Sequence, residues 1–161
     1  MKKKKLGILI LMSMFTLFWI GIMLFFSSQN GAQTEQTGRN MAQFIKNLLH
    51  LKNDVYQIHR EIRKIAHILL FLVFGFLLTI ILDLAFYKRN KKLFMIILLL
   101  GSSFSYLDEA HKILIKGRHF NFDDVIRNLA GYIFGCLLAF FLVWIWKKCR
   151  KKLKNNKSLN L

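Results

Sequence analysis

Long apolar runs separated by short polar connections dominate this sequence and predict four membrane-spanning helices. The runs cover residues 6–26, 65–87, 93–112 and 125–146. Each is close to the roughly 20 residues that a helix needs to cross the hydrocarbon core of a bilayer. The sequence has no Pro, and no segment alternates polar and apolar residues as exposed strands do. Because lipid admits only helices and closed barrels, we expect an all-α polytopic membrane protein, with residues 1–161 forming a single membrane domain.

The first apolar run follows the basic stretch Lys2–Lys5 and resembles the start of a signal peptide. Its apolar part is longer than is usual for a signal peptide, and no small-residue cleavage site follows it. We therefore expect an uncleaved first span.

Residues 27–64 form the longest polar connection and should contain an amphipathic helix. The polar residues 30–38 are typical of a loop. Met41, Phe44, Ile45, Leu48 and Leu49 then recur at helical spacing, which predicts a helix lying on the bilayer surface or on the rim of the protein. Asn53 and Asp54 can cap the helix that leads into the second span.

The formal net charge of +17 suggests nucleic acid as a partner, but the positions of the charges exclude that interpretation. More than half of the 25 Lys and Arg residues lie at 2–5, 88–92 and in the tail 147–161. These short flanks fall on one side of a four-span protein, so the positive-inside rule places both termini in the cytoplasm. The basic flanks then contact anionic membrane lipids, at about 1 kcal/mol per residue near the surface.

The two cysteines, Cys136 and Cys149, give no disulfide framework, since one falls in the fourth span and the other in the tail. The sequence has no CxxC metal motif. We expect no cofactor and no bound metal.

Polar residues interrupt the apolar runs at one end of the predicted bundle. The interrupting residues are His67 in the second span, Asp108, Glu109 and His111 in the third, and Asp124 and Asn128 in the fourth. With the termini inside, all of them lie at the extracytoplasmic helix ends. Glu109 and Lys112 can neutralise each other at offset three, and Asp124 can cap its helix, but neither explains Asn128. Gly131 and Gly135 read as a surface for close helix packing. We infer a polar pocket at the level of the headgroups.

The ordered set of these motifs resembles the VanZ-like family, named for a teicoplanin-resistance determinant, over nearly the whole chain. The matching motifs are Phe26-Ser-Ser-Gln29, Arg63-Lys64-x-x-His67, Asp108-Glu109-x-His111, Gly117-Arg118 and Asp124-x-x-x-Asn128-x-x-Gly131-x-x-x-Gly135. Lys112 stands where the family usually shows Gln, and Lys116 stands where a small residue or Pro is common. Both departures add positive charge to the site. The resemblance implies a bacterial cytoplasmic membrane protein and reduced susceptibility to a lipidated glycopeptide.

Four kinds of function follow for the pocket. In the first, it binds a lipid-linked cell-wall precursor or a lipoglycopeptide, with Arg63, Lys64 and Arg118 contacting the anionic group. In the second, the protein is an enzyme that modifies an envelope lipid, with Glu109 as acid or base and His67 or His111 as its partner. In the third, His67, His111 and the carboxylates handle an ion. In the fourth, the cluster only locks the helix ends together.

Overall fold

The protein is almost entirely helical, which confirms the predicted all-α fold. A computed structural model describes the backbone of residues 3–86 and 91–159 and the side chains of residues 5–86 and 92–151. Within these residues there are five α-helices, a 3₁₀ turn and no strand. The helices are α1 (Lys3–Ser28), α2 (Gly31–Leu48), α3 (Val55–Ala85), α4 (Lys91–His111) and α5 (Phe122–Leu159), and the 3₁₀ turn Lys112–Leu114 follows α4 directly.

Four helical stretches are long and apolar enough to cross a membrane. They are Lys5–Ser28, Val55–Ala85, Lys92–Leu114 and Phe122–Lys151. Two of the helices continue well beyond their apolar runs, because α3 begins at Val55 and α5 extends to Leu159. The basic connection at Lys88 and Arg89 lies outside the described residues.

The polar residues 30–38, predicted to be a loop, instead open α2. Asn30 caps this helix with a complete capping box, in which its side chain accepts from the Gln33 backbone N–H and the Gln33 side chain accepts from the Asn30 N–H. The loop prediction was wrong because this reciprocal pair satisfies two backbone donors at the helix start. At the start of α3, Asp54 caps the helix by accepting from the Tyr56 N–H.

Helices α3 and α5 form the centre of the bundle and make its most extensive contact. A Cβ placed on Gly131 would overlap the Ile68 carbonyl, and one on Gly135 would overlap the Leu72 carbonyl. Both glycines therefore let the two helix backbones meet directly, as residues without side chains do in membrane bundles.

Helices α1 and α4 pack around this central pair. The Trp19 indole on α1 donates to the Leu70 carbonyl on α3 at 3.0 Å, and the Tyr132 hydroxyl on α5 donates to the Ile97 carbonyl on α4 at 2.7 Å. The buried core between them consists of Met23, Phe71, Phe74, Leu93, Ile97, Tyr132 and Cys136. This core holds the helix ends that carry the polar residues in fixed positions.

Helix α2 packs on the first turns of α3 through small residues. Ala42 is buried, and a Cβ on Gly38 would overlap the His59 ring. Four large apolar residues on or directly after α2 are exposed: Met41, Phe44, Leu48 and Leu49.

Candidate functional site

The bundle buries charged and polar side chains at the end where α1 and α4 finish and α5 starts. Glu109 and Asn128 are fully buried, and Lys112 and Asp124 are each only 2% exposed. Charges taken out of water cost several kcal/mol each unless they are paired. These four residues and the side chains that contact them form the polar cluster, which consists of Arg63, His67, Asp108, Glu109, Lys112, Asp124, Arg127 and Asn128.

The α4 half of the polar cluster is built around Lys112. The chain leaves α4 at His111 and tightens into the 3₁₀ turn at this residue. The Lys112 ammonium donates to Glu109 Oε1 and lies 3.7 Å from Asp108 Oδ2. One buried cation thus compensates two carboxylates.

The α5 half is built around Asp124, in the first turn of α5. Its Oδ2 atom accepts from Arg63 Nη2 at 3.2 Å and lies 3.5 Å from His67 Nε2. Its Oδ1 atom accepts from Arg127 Nη1. A carboxylate at a helix N-terminus is also favoured by the helix dipole. Asp124 therefore meets two guanidinium groups, one from α3 and one from its own helix.

Asn128 connects the two halves. Its Oδ1 atom lies 2.9 Å from His67 Nδ1, and its Nδ2 atom donates to Asp108 Oδ2 at 3.5 Å. An amide oxygen can only accept, so a hydrogen bond in this contact requires a proton on His67 Nδ1. The histidine ring is thereby held with its other nitrogen facing Asp124.

Arg118 fastens the α1–α2 connection beside the polar cluster. Its Nη1 atom donates to Thr34 Oγ1 and to the Gln29 carbonyl, the latter at 3.4 Å. Next to it, the Gly31 N–H donates to the Lys116 carbonyl at 3.1 Å, where Gly117 has a φ of +73° that favours glycine. Burial and the positive charge of Arg63 lower the pKa of the Arg118 guanidinium. The end of α1 is joined to α4 as well, since Ser27 Oγ donates to the Asp108 carbonyl at 3.4 Å.

One carboxylate oxygen of Glu109 makes no hydrogen bond to the described residues. Its Oε2 atom is buried and has no hydrogen-bond partner among the described residues, as is also true of Ser105 Oγ one turn earlier on α4. A buried polar atom without a partner costs about 1–3 kcal/mol. Such an atom is a natural acceptor for a bound molecule.

Comparison with known protein families identifies the family of this chain. The family model described as VanZ/LLP1 matches residues 12–145, which include the second and third spans, most of the first and fourth, and every member of the polar cluster. The chain belongs to the VanZ/LLP1 family. It is a multi-pass membrane protein. No curated protein and no solved structure matches it significantly.

In this VanZ/LLP1 member, the structure brings together most of the site residues that were predicted from the sequence. Arg63, His67, Asp108, Glu109, Asp124 and Asn128 all lie in the polar cluster, and Arg118 lies beside it. Two others lie apart from these contacts: Lys64 pairs with the exposed Glu61 at 2.7 Å, and the His111 side chain is exposed. Because α4 ends at His111, it is the next residue, Lys112, that turns inward.

Lys112 and Arg127 are the two cluster residues that the predicted site lacks. Arg127 lies three positions after Asp124 and donates to it, so the i, i+3 spacing of opposite charges was the available signal. That spacing is common on solvated helices, and only the burial of Asp124 shows that this pair belongs to the site.

By spacing alone, His67, Asp108 and Glu109 could also hold a metal ion, since one ligand atom from each lies within 4.8 Å of the others. Lys112 contacts both of these carboxylates. A divalent ion there would meet a buried ammonium at short range, and that repulsion is strong where water is excluded. The local charges therefore favour the predicted metal-free site.

Proposed function

We propose that this VanZ/LLP1 member binds a lipid-linked envelope component or a teicoplanin-type lipoglycopeptide at the outer face of the bacterial cytoplasmic membrane. The observation that carries this proposal is the polar cluster itself, with three acids and three bases converging at one end of an apolar bundle. Ionisable groups within membrane helices are costly, and they commonly mark functional sites.

The charge pattern of the sequence supports placing the polar cluster outside. With the basic flanks in the cytoplasm, the end of α1 and the start of α5 face the other side of the membrane. Envelope precursors and lipoglycopeptides both present polar groups just above a lipid surface at that face. A site with buried acids and partly exposed arginines suits such ligands, because it offers acceptors and charged donors together.

The test is the inhibitory concentration of teicoplanin and of vancomycin in a susceptible Gram-positive host, with and without the protein. The proposal expects a rise for teicoplanin that is lost in Asn128→Ala, with both proteins at equal abundance in the membrane. Arg60→Gln is the matched control, because Arg60 is exposed and its ion pair among the described residues is with the exposed Glu61. If Asn128→Ala raises the teicoplanin inhibitory concentration as much as the native protein at equal abundance, the effect does not depend on the polar cluster.

If the protein causes no rise, the lipoglycopeptide version fails and the lipid-linked version is tested directly. Native mass spectrometry of the purified protein against an envelope lipid extract would reveal a retained lipid. Loss of that lipid in Asn128→Ala supports the site. If no lipid is retained, the polar cluster serves only to hold the helix ends together. In that case both Asn128→Ala and Glu109→Gln should lower the abundance of the protein in the membrane.

A second candidate function is an enzyme that modifies an envelope lipid with Glu109 as acid or base. The observation favouring it is the buried Glu109 Oε2 atom without a partner among the described residues. A general base needs a free oxygen within reach of the proton that it removes. Glu109→Gln separates the two candidates. If the native protein converts the lipid and Glu109→Gln retains it without converting it, the protein is an enzyme. If the native protein retains the lipid without converting it, the function is binding.

A further inference from the structure

We propose that Arg63 and Arg127, bridged by Asp124, form a clamp for the phosphate group of a membrane lipid. This inference rests on the proposed function and names its ligand class. It also changes the residues expected to meet the anion, because Arg127 takes the place that the sequence suggested for Lys64 and Arg118.

The clamp is held by one carboxylate. Asp124 is 2% exposed and offers one oxygen to each guanidinium, Oδ2 to Arg63 and Oδ1 to Arg127. The arginines come from different helices, so Asp124 brings them to the same place and orients both. A guanidinium has five N–H donors, and each arginine uses only some of them here.

Both arginine side chains are partly exposed, although the Asp124 carboxylate that they share is buried. The Arg63 side chain is 44% exposed and that of Arg127 is 27% exposed. The exposed Asp123 carboxylate lies 4.0 Å from Arg127 Nη2 at the surface, where screening by water makes such a pair weak. The unused donors of both groups can thus reach a ligand that arrives from the headgroup region.

At the clamp itself, positive charge exceeds negative charge. Two guanidinium groups meet the single Asp124 carboxylate, while Asp108 and Glu109 lie against Lys112, so the polar cluster as a whole has three carboxylates and three cations. Arg118 adds further positive charge, since its partners among the described residues are the neutral oxygens of Gln29 and Thr34.

The chemistry and the surroundings favour a phosphate carried by a lipid. Paired guanidinium forks match the several charged oxygens of a phosphate or diphosphate better than a point charge does. Both helices that carry the clamp also expose apolar side chains, Ile65 on α3 and Ile126 on α5. An apolar chain leaving the phosphate can pack against the apolar surface of the bundle.

The experiment measures binding of a polyprenyl diphosphate to detergent-purified protein by native mass spectrometry, with inorganic pyrophosphate and phosphatidylcholine as separate probes. The native protein should bind the polyprenyl diphosphate more tightly than either probe. Arg63→Gln and Arg127→Gln should each weaken it about tenfold or more, as expected for loss of a charged hydrogen bond. Arg60→Gln, an arginine exposed on the same helix, should bind like the native protein.

Equal binding of inorganic pyrophosphate and the lipid would identify a free-phosphate site and overturn the lipid part of the proposal. Native affinity in both Arg63→Gln and Arg127→Gln would overturn the clamp. Where Arg127→Gln fails to fold, Arg127→Lys keeps a cation beside Asp124 while removing the fork, and undiminished affinity in that variant would count against the clamp equally.

The failure of the clamp differs from the failure of the proposed function. If the native protein raises the teicoplanin inhibitory concentration or retains an envelope lipid, but does not bind the diphosphate, only the clamp is wrong. If it binds the diphosphate through both arginines without protecting against teicoplanin, the clamp stands and the lipoglycopeptide role falls.

Discussion

His67 on α3 and Asn128 on α5 are joined between Nδ1 and Oδ1 at 2.9 Å, and this contact links the two halves of the polar cluster. The Asn128 amide also donates to Asp108 on α4, so three helices meet at one side chain. A fully buried amide with two partners specifies how these helices align, because any shift leaves a polar atom without a partner.

Replacing Asn128 should therefore destabilise the bundle. Asn128→Ala leaves His67 and Asp108 without their shared partner, and we expect the free energy of unfolding to fall by about 1–3 kcal/mol. Denaturation with SDS in mixed micelles, followed by circular dichroism, measures this change.

Asn47→Ala provides the control, since Asn47 is exposed on α2 and its side chain accepts from Gln43 within the same helix. A surface change of this kind should shift stability by no more than about 0.5 kcal/mol. Equal effects at the two positions would mean that the contacts of Asn128 do not stabilise the native bundle.

Lys112 should be the cluster residue whose loss is most damaging. Lys112→Met leaves Glu109 and Asp108 buried without their cation, and breaking a buried ion pair from one side costs about 3–5 kcal/mol. Adding Glu109→Gln removes one of the uncompensated charges, so the double variant should be more stable than Lys112→Met alone. Lys64→Met, which loses only the exposed pair with Glu61, should cost no more than about 1 kcal/mol.

The absence of a bound metal is a separate prediction. Elemental analysis of the purified native protein should find no stoichiometric transition metal, because the Lys112 ammonium contacts both carboxylates of the candidate metal group. A stoichiometric metal that disappears in Asp108→Asn would show that Lys112 does not exclude an ion.

Gly135→Ala should separate α3 from α5. The added methyl group would overlap the backbone of Leu72, which cannot rotate away as a side chain can, and overpacking of this kind costs about 1–3 kcal/mol. Gly21→Ala on α1 is the matched change, since a Cβ there meets no atom within 4 Å. The free energy of unfolding should fall only for Gly135→Ala, and an equal response at the two positions would contradict direct backbone packing.

The sequence predicted the spans and most of the polar cluster because both depend on strong local signals. Long apolar runs identify helices in lipid, and ionisable residues inside them stand out against that background. The polar start of α2 was misjudged because the capping box at Asn30 and Gln33 is a weaker signal than a run of polar residues. The helical spacing of Met41 and Phe44 predicted an amphipathic helix, and both residues lie exposed on α2, while Gly38 and Ala42 pack towards α3.

The family resemblance brought His111 into the predicted site, whereas helical spacing from the buried Ser105 and Glu109 favours its neighbour Lys112. The structure buries Lys112 and exposes His111. Arg118 looked like a ligand contact because it carries charge near the site. Its position depends on the α1–α2 connection, a contact between segments far apart in the chain.

The orientation of the bundle is the last prediction, and the native cysteines give a direct way to measure it. Cys149 is exposed on α5 beyond the apolar run, whereas Cys136 is buried in the core. If the basic flanks are cytoplasmic, a membrane-impermeant maleimide should leave Cys149 unmodified in intact cells and should modify it after permeabilisation. Asn47→Cys in a Cys149→Ser background should show the opposite pattern and react in intact cells. Reaction of Cys149 in intact cells would place the polar cluster in the cytoplasm, where it could not meet a lipoglycopeptide arriving from outside.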